Sequence, residues 1–119
     1  MIIAIDFDGT ICRDAWPDIG EPIPGALEAI RVMREHGHTL ILWTCREGAA
    51  LDAAIAWLED HGVWGCFEGA NVNAREMVKR YGNDCRKIGA DMYIDDRGYN
   101  RGWEDIMPYV RMWWQRLAK

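Results

Sequence analysis

The sequence predicts an α/β fold in which a short parallel sheet carries helices on both of its faces. Short apolar segments typical of strands, at 2–5, 39–43 and 92–94, alternate with longer segments of helical periodicity. Strands that alternate with helices favour parallel pairing through right-handed crossovers, which place helices on the two faces of the sheet. The predicted architecture is a three-layer, Rossmann-like core.

The helices follow from apolar periodicity and from the residues at their ends. Gly37 and Gly62 are suitable stops for the first two helices. Asn73 and Glu76 form a capping-box pattern before the third. Pro108 either kinks the last helix or begins its main body. The four helices are predicted over 24–36, 47–61, 73–81 and 103–117.

A further strand is predicted at 63–67, and the segments that remain are short. Residues 11–23 are expected to form a flap beside the end of the first strand. The elements between Thr44 and Asp95 leave no room for a cap domain. The chain, 1–119, is therefore expected to be a single domain whose cleft is open to solvent.

Acidic side chains follow two of the predicted strands at the point where each strand ends. Asp6 and Asp8 follow the first strand, and Asp95 and Asp96 follow the last. Ligands in open α/β sheets bind outside the carboxyl ends of the strands. Mg²⁺ prefers carboxylate oxygens, and paired acids repel each other unless a cation or a proton intervenes. The four aspartates together predict a Mg²⁺ site.

The strand at 39–43 ends in three residues that suit a phosphate group. Thr44 supplies a hydroxyl and Arg46 a guanidinium, and both donate hydrogen bonds to phosphate oxygens. Cys45 lies between them, with a small buried hydrophobe as the alternative interpretation of its thiol. Thr44 could also cap the following helix, with Glu47 as its partner. That role is compatible with phosphate binding, because a helix N-terminus attracts anions.

In chain order, these residues resemble the four motifs of the haloacid dehalogenase (HAD) superfamily of phosphotransferases. The motifs are Asp6-Phe7-Asp8-Gly9-Thr10, Thr44, Lys87 and Asp95-Asp96. The segments 44–46 and 94–97 look most like the compact branch that includes 5'(3')-deoxyribonucleotidases and the phosphatase domain of polynucleotide kinase-phosphatases. The resemblance implies a capless HAD core.

The resemblance also implies a role for each motif residue. Asp6 would be the nucleophile that becomes an aspartyl phosphate, and Asp8 the general acid and base. Thr44 and Lys87 would hold the transferred phosphoryl group. Mg²⁺ would be bound by Asp6, the Asp8 carbonyl and Asp95. The implied activity is Mg²⁺-dependent hydrolysis of a small phosphorylated metabolite or nucleotide, and the chemistry needs this combination of metal, cations and carboxylates.

Lys87 precedes Asp95 by eight positions. A fully extended chain, at about 3.3 Å per residue, would carry it roughly 26 Å from the end of the strand. The chain is therefore expected to turn at 89–91. Lys79, on the predicted third helix, is the alternative lysine.

Two other classes of protein remain as alternatives. A receiver-like signalling domain also combines an acidic pair, a threonine and a lysine. Its phospho-acceptor aspartate, however, ends a middle strand before the threonine, whereas Thr44 here precedes the second acidic pair. A non-catalytic module that binds Mg²⁺ or a nucleotide could be built on the same fold.

Composition limits the partners and the compartment. The net charge is −5, and without the four aspartates it would be −1. That charge argues against tight binding to long nucleic acid but leaves strand ends open. The N-terminal sequence predicts neither a signal peptide nor a membrane span. Four cysteines without paired spacing favour a reducing compartment, so a cytoplasmic enzyme is expected.

Tryptophan is abundant, with seven residues. Trp16 lies in the predicted flap, where it could stack on a nucleobase or pack against the first helix. Trp113 and Trp114 are adjacent, so on a helix they point about 100° apart and need not face the same core. One of them could contribute a contact in a homo-oligomer.

Overall fold

The computed structural model describes residues 1–98 and 102–117, with side chains up to residue 112. In chain order its strands are β1 (Ile2–Ile5), β2 (Cys12–Ala15), β3 (Asp18–Pro22), β4 (Thr39–Leu42), β5 (Phe67–Ala70) and β6 (Met92–Ile94). Its helices are α1 (Ala26–Glu35), α2 (Gly48–Asp60), α3 (Arg75–Tyr81) and α4 (Trp103–Leu117).

Four strands form a parallel sheet in the order β5-β4-β1-β6. Counted along the chain, these are the third, second, first and fourth strands of the sheet. This is the order with which the Rossmann fold begins, and its direction reverses between β1 and β6. The carboxyl ends of these two strands therefore flank the point where open α/β sheets place their ligands.

The side chains of the sheet alternate between its two faces, as the pleat requires. Ile3, Ile5, Leu40 and Leu42 belong to the larger core, which includes residues of α1, α2 and α4. Ile2, Ala4 and Ile41 face the other way, and α3 and the segment after it cover them. The predicted three-layer α/β architecture with helices on both faces is confirmed.

The predicted flap is an antiparallel hairpin formed by β2 and β3. Its base is anchored, because the amide of Ile23 donates to the carbonyl of Ile11 over 2.9 Å and Cys12 is buried. The hairpin fills the connection between β1 and α1. In the described ranges it is the only element between the carboxyl end of β1 and α1.

The strand predicted at 63–67 is wrong in position. Residues Trp64–Cys66 form a 3₁₀ turn, and the strand follows it as β5. The amide of Val63 donates to the carbonyl of Leu58, which folds the chain back against the end of α2, and the Val63 side chain is buried there. A short apolar run does not distinguish a buried turn from a buried strand.

The capping box predicted at Asn73 and Glu76 is also wrong, and Thr44 does not have the alternative role of a helix cap. The N-cap of α2 is Glu47, and the N-cap of α3 is Ala74, in each case without a capping side-chain hydrogen bond. Asn73 is buried and binds the loop that follows α3: its carbonyl oxygen accepts from the amide of Gly89, and its amide donates to the carboxylate of Asp84. A buried asparagine must satisfy its polar atoms, and here the nearest partners belong to that loop.

The last helix continues through Pro108, as the first of the two sequence interpretations allowed. The contact proposed for Trp113 or Trp114 in a homo-oligomer concerns side chains outside the described residues. None of the helices in the described ranges combines the length and apolar character that a bilayer crossing requires.

Candidate functional site

Three carboxylates meet at the end of the sheet where the strand order reverses. The amide of Asp6 donates to the carbonyl of Ile94 over 2.9 Å, which extends the pairing of β1 with β6 by one step. This pairing brings Asp6 next to Asp95 and Asp96, and one oxygen from each of the three carboxylates lies within 4.8 Å of the others. A group of oxygen donors at this spacing fits a hard cation such as Mg²⁺.

Burial and mutual repulsion raise the pKa of two members of this carboxylate cluster (Asp6, Asp95 and Asp96). Burial is the largest cause of the rise in the pKa of Asp6 from 3.8 to about 7, and the charges of the other two aspartates add to it. The amide of Phe7 acts in the opposite direction. The pKa of Asp96 is raised by burial and then by its hydrogen bond to Asp95. A bound cation would remove the repulsion that favours these protons.

Without metal, the folded protein should become less stable as the pH rises from about 4 to about 7. The folded-state pKa of Asp6 lies above its ordinary value, so the folded state keeps a proton that the unfolded chain releases in this window. Thermal unfolding across the window in a chelating buffer measures the slope. Asp6→Asn should remove this component and raise the melting temperature near neutral pH, whereas the same slope in both proteins would contradict the assignment.

Gly9 allows the approach of Asp96 to the cluster. Its φ of +81° is favourable for glycine, and a Cβ at this position would clash with the Asp96 carboxylate. A glycine is therefore required at position 9 for the Asp96 carboxylate to occupy its place.

The cluster lies in a cleft of about 420 Å³, which also contains several residues predicted from the sequence. Asp8, Thr44 and Cys45 line it together with the three carboxylates. The walls are completed by residues that are aromatic or charged, namely Asp14, Trp16, Trp43 and Arg97. The cleft thus combines a group of carboxylates that could hold a metal ion with a further carboxylate and a hydroxyl.

The Asp8 carboxylate is bound to Arg46 through both of its oxygens. Arg46 Nε donates to Asp8 Oδ2 over 2.7 Å, and Nη2 donates to Oδ1 over 2.8 Å. In the part of the chain that the structure describes, the side chain of Asp8 is not a member of the group that could hold a metal. The carboxylate predicted as a fourth metal ligand is thus paired with a cation of the protein.

Arg46 itself does not line the cleft, although the sequence predicts it as a phosphate ligand. Its guanidinium is buried, with only 2% of the residue exposed. The two hydrogen bonds to Asp8 raise the pKa of Arg46 further. In a charged, hydrogen-bonded pair of this kind, the main donors of the arginine and the main acceptors of the carboxylate are already occupied.

The segment that follows β4, residues 44–46, is held in place by Asn71. The amide of Thr44 donates to Asn71 Oδ1 over 2.9 Å, and Asn71 Nδ2 donates to the carbonyl of Arg46 over 3.2 Å. The hydroxyl oxygen of Thr44 accepts from the amide of Arg46 over 3.1 Å. The hydroxyl proton of Thr44 is not needed for this bond and can be donated to a ligand in the cleft.

Lys87 does not line the cleft and lies instead in the lining of a separate cavity, together with Ile2, Asn73 and Asp91. Its Nζ lies 5.8 Å from the centre of the Tyr93 ring, and that ring packs at 5.3 Å from Trp43, which lines the cleft. The hydroxyl of Tyr93, in β6, donates to the carbonyl of Ile88 and accepts from the amide of Ala90, which ties the segment before β6 to this side chain. Lys79 is exposed on α3.

A solved structure of a conserved protein from Bacteroides thetaiotaomicron matches this chain with a TM-score of 0.82. The two sequences are 39% identical, and the match covers 94% of this chain and 90% of that one. This chain belongs to the same family as that conserved protein. Neither the protein-family models nor the curated proteins contain a match to the chain.

Three features of the site were not predicted from the sequence. Asn71 has a φ of +55° and comes directly after β5, so a polar residue that favours turns at a strand end was its available signal. Arg97 lines the cleft and follows the acidic pair directly. Trp43 directly follows β4, is 37% exposed and lines the cleft. Its amide donates to the carbonyl of Ile5, which continues the pairing of β4 with β1.

Replacing Asn71 by alanine should destabilise the loop that carries Thr44. The change removes two hydrogen bonds and leaves a residue with a Cβ at positive φ, with an expected cost of about 1–3 kcal/mol. Chemical denaturation measures this cost. Asn71→Gly is the matched control, because it removes the same bonds and accepts the backbone conformation. Equal stability of the wild type and both variants would show that Asn71 does not support the loop.

Proposed function

We propose that the protein is a Mg²⁺-dependent phosphomonoester hydrolase of the HAD type that acts through an aspartyl phosphate on Asp6. The observation that carries the proposal is the convergence of Asp6, Asp95 and Asp96 within 4.8 Å at the reversal point of the sheet. Asp8 and Thr44 line the same cleft. The first, second and fourth of the motifs that resemble the HAD pattern thus support the proposal by lining one cleft, whereas Lys87, the third, lies outside its lining.

The chemistry can be written with the residues of the cleft. A carboxylate oxygen of Asp6 attacks phosphorus, and the bond to the leaving oxygen breaks as Asp8 donates a proton to it. Asp8 then takes a proton from water, the water oxygen attacks phosphorus, and the Asp6 carboxylate is released. The Thr44 hydroxyl donates to a phosphoryl oxygen. Mg²⁺ at the carboxylate cluster would neutralise the charge of Asp6 and of the phosphoryl group.

The strand order supports this proposal over a receiver-like phospho-acceptor domain. Receiver domains have the order 2-1-3-4-5, in which the third strand of the chain is a neighbour of the first. Here β1 lies between β4 and β6, the second and fourth strands of the sheet. The acidic residues of the first and last strands are therefore adjacent, whereas β5 is separated from β1 by β4.

The pairing of Asp8 with Arg46 favours a second candidate, a module that binds Mg²⁺ or a nucleotide without hydrolysing it. Both oxygens of the proposed acid accept hydrogen bonds from Arg46. A proton would have to enter Asp8 through its remaining lone pairs. Such a module would keep the metal site and the cleft but would not turn over a phosphate ester.

A phosphatase screen separates the two candidates. The wild type is assayed with a broad panel of phosphomonoesters in Mg²⁺ and in chelator, with Asp6→Asn as the blank, and Mg²⁺ binding is measured by calorimetry. Mg²⁺-dependent phosphate release that is lost in the variant supports the hydrolase. Mg²⁺ binding without release from any ester would support the module instead.

We further propose a small phosphate ester as the substrate and the cytoplasm as the site of action. The side chains of Cys12, Cys45, Cys66 and Cys85 are free thiols, as a reducing compartment would keep them. The panel should therefore include nucleotides, sugar phosphates and short polynucleotides with a terminal phosphate. Without the four aspartates at the strand ends the net charge would be −1, which provides no electrostatic attraction for long nucleic acid.

A further inference from the structure

Arg46 connects three parts of the molecule through one buried guanidinium. Its Nε and Nη2 bind the carboxylate of Asp8, and Nη2 also donates to the carbonyl of Asp18 over 3.0 Å. Its Nη1 donates to the carbonyl of Ala50 in the first turn of α2 over 3.4 Å. All three nitrogens thus have acceptors within the protein, and a substrate phosphate would have to displace one of them.

The contact with Asp8 has the geometry that restrains a carboxylate most strongly. The two parallel bonds of 2.7 and 2.8 Å fix the plane of the carboxylate as well as its position. The side chain of Arg46 is 1% exposed and that of Asp8 is 20% exposed. The buried Arg46 therefore holds the Asp8 carboxylate from the interior, while part of the Asp8 side chain remains exposed in the cleft.

The contact with the β2–β3 hairpin uses the same guanidinium. Asp18 begins β3, and its carbonyl accepts from Arg46. The Arg46 guanidinium lies 4.9 Å from the centre of the Trp16 ring and 5.5 Å from that of Phe7. Trp16 is 60% exposed and lines the cleft, and the planar cation of Arg46 lies against its ring.

We propose that Arg46 is a positioning residue that orients Asp8 for proton transfer and at the same time docks the hairpin at the mouth of the cleft. The part that concerns proton transfer rests on the proposed hydrolase function. The part that concerns the hairpin does not. Arg46 contacts both Asp8 and the hairpin. Displacement of the hairpin therefore removes the contacts of the guanidinium with Asp18 and Trp16, and these contacts help to fix the guanidinium that orients Asp8.

The kinetic test compares Arg46→Ala and Arg46→Lys with the wild type. We expect kcat for an alkyl phosphate to fall about a hundredfold in Arg46→Ala, with a small change in KM, because the guanidinium does not face the ester. The loss should be smaller for p-nitrophenyl phosphate, whose leaving group departs without a proton. Millimolar guanidinium chloride should restore part of the alanine variant's kcat, and sodium chloride should not.

The second test follows the hairpin by hydrogen exchange and needs no activity. Backbone amides of β2 and β3 should exchange faster in Arg46→Ala than in the wild type, while those of α1 remain unchanged. Arg31→Ala is the matched control, because Arg31 donates to the carbonyl of His61 on the exposed surface. If the alanine variant does not fold, Arg46→Lys should show the same local effect, because it keeps the charge but loses the planar fork.

The outcomes separate this inference from the proposed function. An increase in KM that matches or exceeds the fall in kcat would make Arg46 a phosphate ligand and overturn the inference. Unchanged exchange in the hairpin, or equal acceleration in α1, would overturn the docking role. A wild type that releases no phosphate overturns the hydrolase proposal together with the proton-transfer role, while exchange alone still decides whether Arg46 docks the hairpin.

Discussion

Asp6→Asn is expected to abolish phosphate release from every phosphomonoester that the wild type hydrolyses. The amide lacks the anionic oxygen that attacks phosphorus, and loss of a covalent nucleophile costs roughly 10⁴-fold or more in turnover. The variant should also lose the thermal stabilisation that Mg²⁺ gives the wild type, because Asp6 is one of the three carboxylates of the cluster. Phosphate release and melting temperature, each with and without Mg²⁺, measure the two effects.

Asp14→Asn is the matched control for this substitution. Asp14 lines the same cleft but is not a member of the carboxylate cluster. Its loss should change turnover far less and should leave the Mg²⁺-dependent stabilisation in place. Beryllium fluoride, a mimic of the bound phosphoryl group, should bind the wild type only with Mg²⁺. Turnover at the wild-type rate in Asp6→Asn would rule out the covalent mechanism.

The fold and the carboxylate cluster could be predicted because they depend on rules that apply to any parallel sheet. The strands are recognisable as short apolar segments. Residues that directly follow neighbouring parallel strands must lie close together at the carboxyl end of the sheet. Asp6 and Asp95 are far apart in sequence, but the pairing of β1 with β6 places them side by side. No side-chain detail is needed to reach that result.

The orientation of Asp8 could not be predicted in the same way. Asp8 and Arg46 are separated by 38 positions, and their pairing depends on a hairpin that folds over the guanidinium. From the sequence, an arginine after a strand is equally suited to a phosphate or to a protein carboxylate. Burial decides between them, since a buried guanidinium must be paired within the protein. Asn71 is similar, because its role depends on two adjacent loops.

Lys87→Ala is expected to reduce turnover by about a hundredfold or more, and Lys79→Ala is expected to have little effect. A cation at the transferred phosphoryl group acts as a preorganised donor, and loss of one such donor costs about 10²–10³-fold. Lys87 lies over Tyr93 and outside the lining of the cleft, so its ammonium would have to leave this ring to reach the phosphoryl group. Steady-state kinetics of both variants with the best ester of the panel measures the difference.

Lys87→Arg distinguishes the two environments open to this ammonium. If Lys87 binds the phosphoryl group, the arginine variant should recover part of the activity, because a cation is retained. If Lys87 remains on the Tyr93 ring, its loss removes only a cation–π contact, worth about 0.5–1 kcal/mol at an exposed site. A small decrease in stability with unchanged kcat would then replace the large kinetic effect. A large loss in Lys79→Ala would instead assign the third motif to the exposed lysine of α3.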